Sequence, residues 1–165
     1  MAISKLKPRH ASEGRSIAAA LKDRLDYDKN PEKTDGGLLV TGYQCSPDTA
    51  WQEFAVSKQI YTATTGRKRA PDQDVISYLI IQSFEPGTIT PEDANKLGYK
   101  LALEFTGGEH QFIVATHVDK KHTVGGKYRT ENKVCESSWP TVQPPTALSY
   151  PGMPSPLTAW PGNGM

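Results

Sequence analysis

Up to about residue 122 the apolar positions switch repeatedly between a two-residue and a three-to-four-residue period, which predicts alternating strands and helices. Ala2 to Lys7 alternates and suits a short strand whose pairing Pro8 limits. Ile17, Leu21 and Leu25 then recur at helical spacing. Ser12 or Ser16 suits the N-cap of that helix, which is expected to run to about Asn30, where Pro31 discourages continuation. Leu38 to Tyr43, set between Gly36-Gly37 and Ser46-Pro47, reads as a second strand. Ser46 is expected to cap the next helix with Pro47 in its first turn, burying Trp51, Phe54, Ala55 and the stem of Lys58.

Asp74 to Phe84 holds the β-rich run Val75-Ile76-Ser77-Tyr78-Leu79-Ile80-Ile81 and predicts a strand that Pro86-Gly87 ends. Thr90-Pro91-Glu92-Asp93 joins a capping hydroxyl, a first-turn proline and two carboxylates at a helix start. Ala94, Leu97, Leu101 and Phe105 are expected to form the buried face of that helix. Gln111 to Asp119 reads as the most central strand. Phe112, Val114, Thr116 and Val118 should face one way, with Ile113, Ala115, His117 and Asp119 facing the other.

Beyond Thr123 the pattern lapses. From Ser137 to Met165 there is no Asp, Glu, Lys or Arg, while prolines recur, so no long helix or strand is expected there. The reading is therefore one α+β domain over residues 1–122 and a disordered, Pro/Gly/Ser/Thr-rich tail over 123–165. With 19 Lys plus Arg against 18 Asp plus Glu, any nucleic-acid site has to be a local patch. Cys45 and Cys135 stand far apart without CxxC spacing and are expected as free thiols. The N-terminus lacks a signal-like apolar run, and nowhere do about 18 apolar residues run together as a membrane span requires. A cytoplasmic protein with no membrane partner is expected.

Several stretches, taken in order, resemble the mobilisation relaxases of conjugative elements, a branch of the His-hydrophobe-His endonucleases. They are Leu25-Asp26-Tyr27 with Asn30-Pro31-Glu32-Lys33-Thr34, then Gly42-Tyr43-Gln44-Cys45, then Gln82-Ser83-Phe84 with Pro86-Gly87 and Thr90-Pro91-Glu92, and last Ala115-Thr116-His117-Val118-Asp119-Lys120-Lys121-His122. The resemblance implies a mainly antiparallel sheet with helices packed on it. It also implies nicking of single-stranded DNA at an origin of transfer, in which a tyrosine hydroxyl attacks a phosphodiester. Tyr27, which precedes Asn30-Pro31, is then the nucleophile, and Arg24, Lys29 and Lys33 are phosphate contacts. A divalent cation, Mg or Mn, would offset the weakness of a phenol with a pKa near about 10. His117 and His122 would be ligands to it, with Asp119 orienting an imidazole. Relaxases of this kind commonly work with an accessory mobilisation protein.

Position alone supports blander readings. Tyr27 lies off the Ile17/Leu21/Leu25 stripe and would close the edge of the apolar face. His117 would be a buried strand histidine with a satisfied ring. H-x-D-x-x-H also has the spacing of a small metal hydrolase, with ligands from a strand and the turn after it.

The chain departs from the family pattern where His-x-His-x-His is implied. His122-Thr123 begins the run, but Val124 and Gly126 stand in the next two histidine places, and Leu79 stands where relatives tend to have a histidine. An incomplete domain with impaired nicking is expected, the simplest account being a frame change just after His122. The alternative function is a non-catalytic remnant that still binds single-stranded DNA.

Overall fold

The computed structural model describes residues 2–11, 14–70, 73–124 and 127–137, excluding the side chains of 120–129, 136 and 137. Most of the tail expected after residue 122 lies outside these residues. Five strands and three helices alternate: β1 (Ile3–His10), α1 (Ile17–Asp28), β2 (Val40–Tyr43), α2 (Ala50–Thr65), β3 (Val75–Ser83), α3 (Pro91–Thr106), β4 (Phe112–Val124) and β5 (Lys127–Ser137). The strands form one sheet in the order β1-β3-β5-β4-β2, and every pairing is antiparallel. The α+β architecture expected from the sequence is the one observed.

Caps and turns explain most boundaries. Ser16 accepts from the Ala19 amide (3.2 Å) and so caps α1, while Ser12 lies outside the described residues. Thr90 accepts from the Asp93 amide, with Pro91 in the first turn of α3. The second helix starts later than expected. Ser46 begins a turn closed by the Thr49 amide (3.1 Å), and Glu53 reaches back to the Ser46 amide and the Thr49 hydroxyl. Pro8 does not shorten β1. It sits opposite Tyr78 in an edge strand, where a missing amide is tolerated.

Two apolar layers flank the sheet. On one face Leu21 and Leu25 of α1 and Phe54 of α2 pack with Ile76, Ile113 and Cys135. On the other, Ala102 of α3 packs with Ile80, Phe112, Val114 and Val134. The alternation read in β4 is thus observed, but β4 is not the central strand. Cys45 and Cys135 are free, and the half-buried Cys45 thiol, whose pKa desolvation pushes up to about 12, donates to the Phe112 carbonyl (3.4 Å).

Two expectations need correction. The sheet crosses the boundary drawn at residue 123, because β4 runs on to Val124 and β5 takes the middle of the sheet. Thr130, Glu131, Asn132 and Lys133 are buried there although they carry no apolar pattern. The buried face of α3 is likewise Ala94, Asn95, Gly98, Ala102 and Thr106, whereas Leu97 and Phe105 are exposed. Small residues are required because the helix lies close over a polar network. Thr41 donates to Asn95, Asn95 to Thr116 (3.0 Å), Thr116 to Asn132 (2.8 Å), and Asn132 to Gln82 (3.1 Å) and the Ala94 carbonyl. The chain of bonds joins β2, α3, β4, β5 and β3, satisfying polar groups that would otherwise be costly to bury.

Gly98 sits over this network, and a Cβ there would lie 2.6 Å from Asn132 Nδ2 and 3.0 Å from Val114 Cγ1. Neither group is at liberty to move. Gly98→Ala should therefore destabilise the fold by about 1–3 kcal/mol, as overpacking does. Chemical denaturation checks this, and pairing with Asn132→Ala should give a less-than-additive loss. A Gly98→Ala protein as stable as wild type would show the helix is not held at this distance.

Candidate functional site

Tyr27 lies in the last turn of α1 and is 55% exposed. The turn it occupies is nevertheless fixed. Its neighbour Asp28 is fully buried, with the carboxylate 2.9 Å from Arg9 Nη2 of β1. The Asp28 carbonyl accepts from His117 Nε2 of β4 (2.7 Å). A carboxylate at a helix C-terminus is disfavoured by the helix dipole, and α1 has no basic residue in its last turn. Arg9 supplies the missing charge from another element.

The chain after α1 is a compact turn that brings a cation back to Tyr27. Asn30 Oδ1 accepts from the Glu32 amide (2.9 Å), and the buried Thr34 hydroxyl donates to the Asn30 carbonyl (3.0 Å). The Lys33 carbonyl then accepts from the Val118 amide of β4 (2.9 Å), and the Leu39 carbonyl from that of Thr116. This pairing holds Lys33 so that its ammonium lies 3.9 Å from the centre of the Tyr27 ring. Lys133 of β5 also places its ammonium near this ring, 5.0 Å from the same centre.

The other expected phosphate contacts are engaged within the fold. Arg24 donates to the His10 carbonyl (3.0 Å), and Lys29 to the Pro47 carbonyl (2.6 Å) while lying 3.8 Å from Asp26. Lys33 alone of the three reaches Tyr27. Arg9, Asp28 and Lys133 were missed in the sequence because the partners that give them meaning are far away along the chain.

His117 has the features of the bland reading: it is 1% exposed and its ring is hydrogen-bonded. Burial is the main cause of a pKa held below the ordinary value, opposed by the bond to Asp28 and reinforced by the Lys133 charge. Asp119 has an exposed side chain, and the ladder register shifts between His117 and Lys120. His122 is not in a turn. Its backbone lies five positions along the same strand, about 16 Å away at the usual rise, so the fold does not bring the two positions together.

The described side chains around His117 do not form a divalent-cation site. His117 has committed Nε2 to a carbonyl, and Glu131 and Lys133 stand on β5 opposite His117 and Ala115. Among the described residues no three His, Cys, Asp or Glu side chains converge as ligands. The small-hydrolase arrangement fails for the same reason, since no turn follows Asp119.

Comparison with known proteins bears on what this site descends from. Residues 27–123 match the family model described as relaxase, MobA/VirD2-like, nuclease domain. The chain belongs to that family. This relaxase domain is 34% identical over 121 residues to the group II intron-interrupted relaxase LtrB of Lactococcus lactis subsp. cremoris, covering 62% of this chain and 21% of that protein. It is 37% identical over 82 residues to protein rlx of Staphylococcus aureus, covering 50% and 23%. The domain thus spans about a fifth of the length of these curated relatives. The family match begins at Tyr27 and stops one residue before Val124, the first place where a histidine was implied. No helix among the described residues is long and apolar enough to cross a membrane.

The His117 environment predicts a pH effect. Unfolded, the imidazole titrates near about 6.5. In the fold its pKa is lower, so the unfolded state binds more protons and the group's contribution, complete above that pH, is lost as pH falls toward the native value. Asp28, Lys133 and Asp119 act on the ring through their charges, and Glu131 stands opposite it on β5. Thermal melts from about pH 7 to 5 should show a falling Tm in wild type and a shallower fall in His117→Gln. Parallel curves would rule out His117 as the source.

Proposed function

We propose that this relaxase domain engages single-stranded DNA at an origin of transfer and uses Tyr27 to attack a phosphodiester, with nicking much reduced. The observation that carries this reading is an exposed phenol, with two ammonium groups near its ring, on a helix end anchored by a buried ion pair. In the reaction Tyr27 Oη attacks phosphorus and the bond from phosphorus to the 3′ oxygen breaks. The 5′ phosphate becomes joined to the tyrosine, and the departing oxygen takes a proton to become a 3′ hydroxyl.

The reduction follows from the donor set. A phenol is a weak nucleophile at neutral pH, and the relaxase resemblance assigns its activation to a Mg or Mn ion on histidines. Here the side chains around His117 do not form such a site. For that reason a second reading has direct support: binding of single-stranded DNA without chemistry, through the basic groups around Tyr27.

A nicking assay separates the two. The full chain is incubated with single-stranded oligonucleotides tiling the origin-of-transfer region of its own element, with Mg or Mn, and adducts are resolved on denaturing gels. A slow adduct that disappears in Tyr27→Phe is expected. Salt-sensitive retention of the oligonucleotide with no adduct would establish the binding reading instead.

A further inference from the structure

We infer that Lys133, together with Lys33, forms a cation-independent seat for a phosphodiester oxygen of single-stranded DNA beside Tyr27. The inference rests on the substrate class proposed for this site and assigns the groups that hold it. Lys133 is 9% exposed in the central strand, and its described contact is the Tyr27 ring. A buried ammonium without a carboxylate is costly, and the face of one aromatic ring compensates it only in part.

Among the described residues no carboxylate lies within ion-pair distance of the Lys133 ammonium. Asp28 is paired with Arg9, Glu131 takes a hydrogen bond from Ser83 (3.1 Å), and Asp119 is exposed. Lys33 adds a second positive charge at the same ring. Two like charges held near one ring repel each other, whereas an anionic oxygen that reaches both makes charge-assisted hydrogen bonds to each.

The sheet extends the seat into a path. Lys133 lies opposite Ile81, and Ile81 lies opposite Lys5, so Lys5 and Lys133 share one cross-strand row. Lys7 lies two positions along the same edge strand, in the row next to it. A strand seated at Tyr27 and running toward β1 thus meets further ammonium groups on the side chains of an exposed edge. Such spacing suits a phosphate backbone, which binds along a line of cations.

The test is fluorescence anisotropy of the full chain with a fluorescein-labelled single-stranded oligodeoxythymidylate, in EDTA and in Mg, across a salt series. Equal binding in EDTA and Mg is expected. Lys133→Met should weaken it about ten-fold and lower the slope of log affinity against log salt by about 0.7, the value for one single-strand phosphate contact. Lys33→Met should act similarly, and Lys133→Arg should retain most binding. Because Lys133→Met removes a buried charge, its Tm should hold or rise. A lowered Tm accompanying the lost binding would make Lys133 structural and overturn the inference. Binding that requires Mg and ignores Lys133→Met would overturn it while leaving the DNA-binding reading intact. A chain that binds in neither buffer would remove both.

Discussion

A polar strand at the centre of a sheet survives only if the groups it buries find partners, and β5 imposes that condition on both faces of this domain. Toward α3 the condition is met by bonding, since Asn132 joins Thr116, Gln82 and the Ala94 carbonyl in a network that Gly98 makes room for. Leu97 and Phe105 are left outside because the helix must approach on its small residues. Toward α1 the strand presents Glu131 and Lys133 instead. One face of the strand is therefore closed by the polar network, and the other places the Lys133 ammonium near the Tyr27 ring.

Asp28 decides where that meeting takes place. Its carboxylate answers Arg9 and its carbonyl answers His117, so the last turn of α1 is tied to β1 on one side and β4 on the other. Removing one partner of a buried pair leaves the other uncompensated, which makes this joint stiffer than an exposed helix end usually is. Lys33 is fixed by the same logic through the pairing of its carbonyl with Val118. The site is assembled by backbone and ion-pair constraints on its flanks, leaving the phenol itself accessible.

Elements with strong local signals were legible in the sequence: the Ser16 and Thr90 caps, the Leu21/Leu25 stripe, the β-rich run from Val75 and the two faces of β4. Strand β5 was not, because Lys127 to Ser137 offers no apolar alternation and its burial depends on partners in β3, β4 and α3. The face of α3 was misread for a related reason. Hydrophobic spacing selected Leu97, Leu101 and Phe105, whereas close packing selected Gly98 and Ala102. In the site, Tyr27 and Lys33 came from motif order. Lys133, Arg9 and Asp28 had no motif to mark them, and the structure adds them only by bringing β1, α1 and β5 together.

On the proposed reading an ammonium, rather than a cation held by histidines, meets the phosphate at Tyr27. A lysine charge and a divalent cation both attract a phosphate oxygen, but the ammonium carries half the charge and cannot accept an oxygen as a ligand. Attraction felt equally by bound DNA and by the transition state raises affinity without lowering the barrier between them. A cation on three imidazoles acts mainly on the charge that develops during attack, which is where most rate enhancement originates. Lys133 and Lys33 lie against the ring rather than at a position shown to follow that developing charge. In the proposed function the arrangement would thus favour holding a strand over cutting it. On the reading proposed above, affinity for DNA and the capacity to nick it separate: the anchored helix end and the basic groups at Tyr27 would serve the first, and the second would need ligands that Val124 and Gly126 cannot provide.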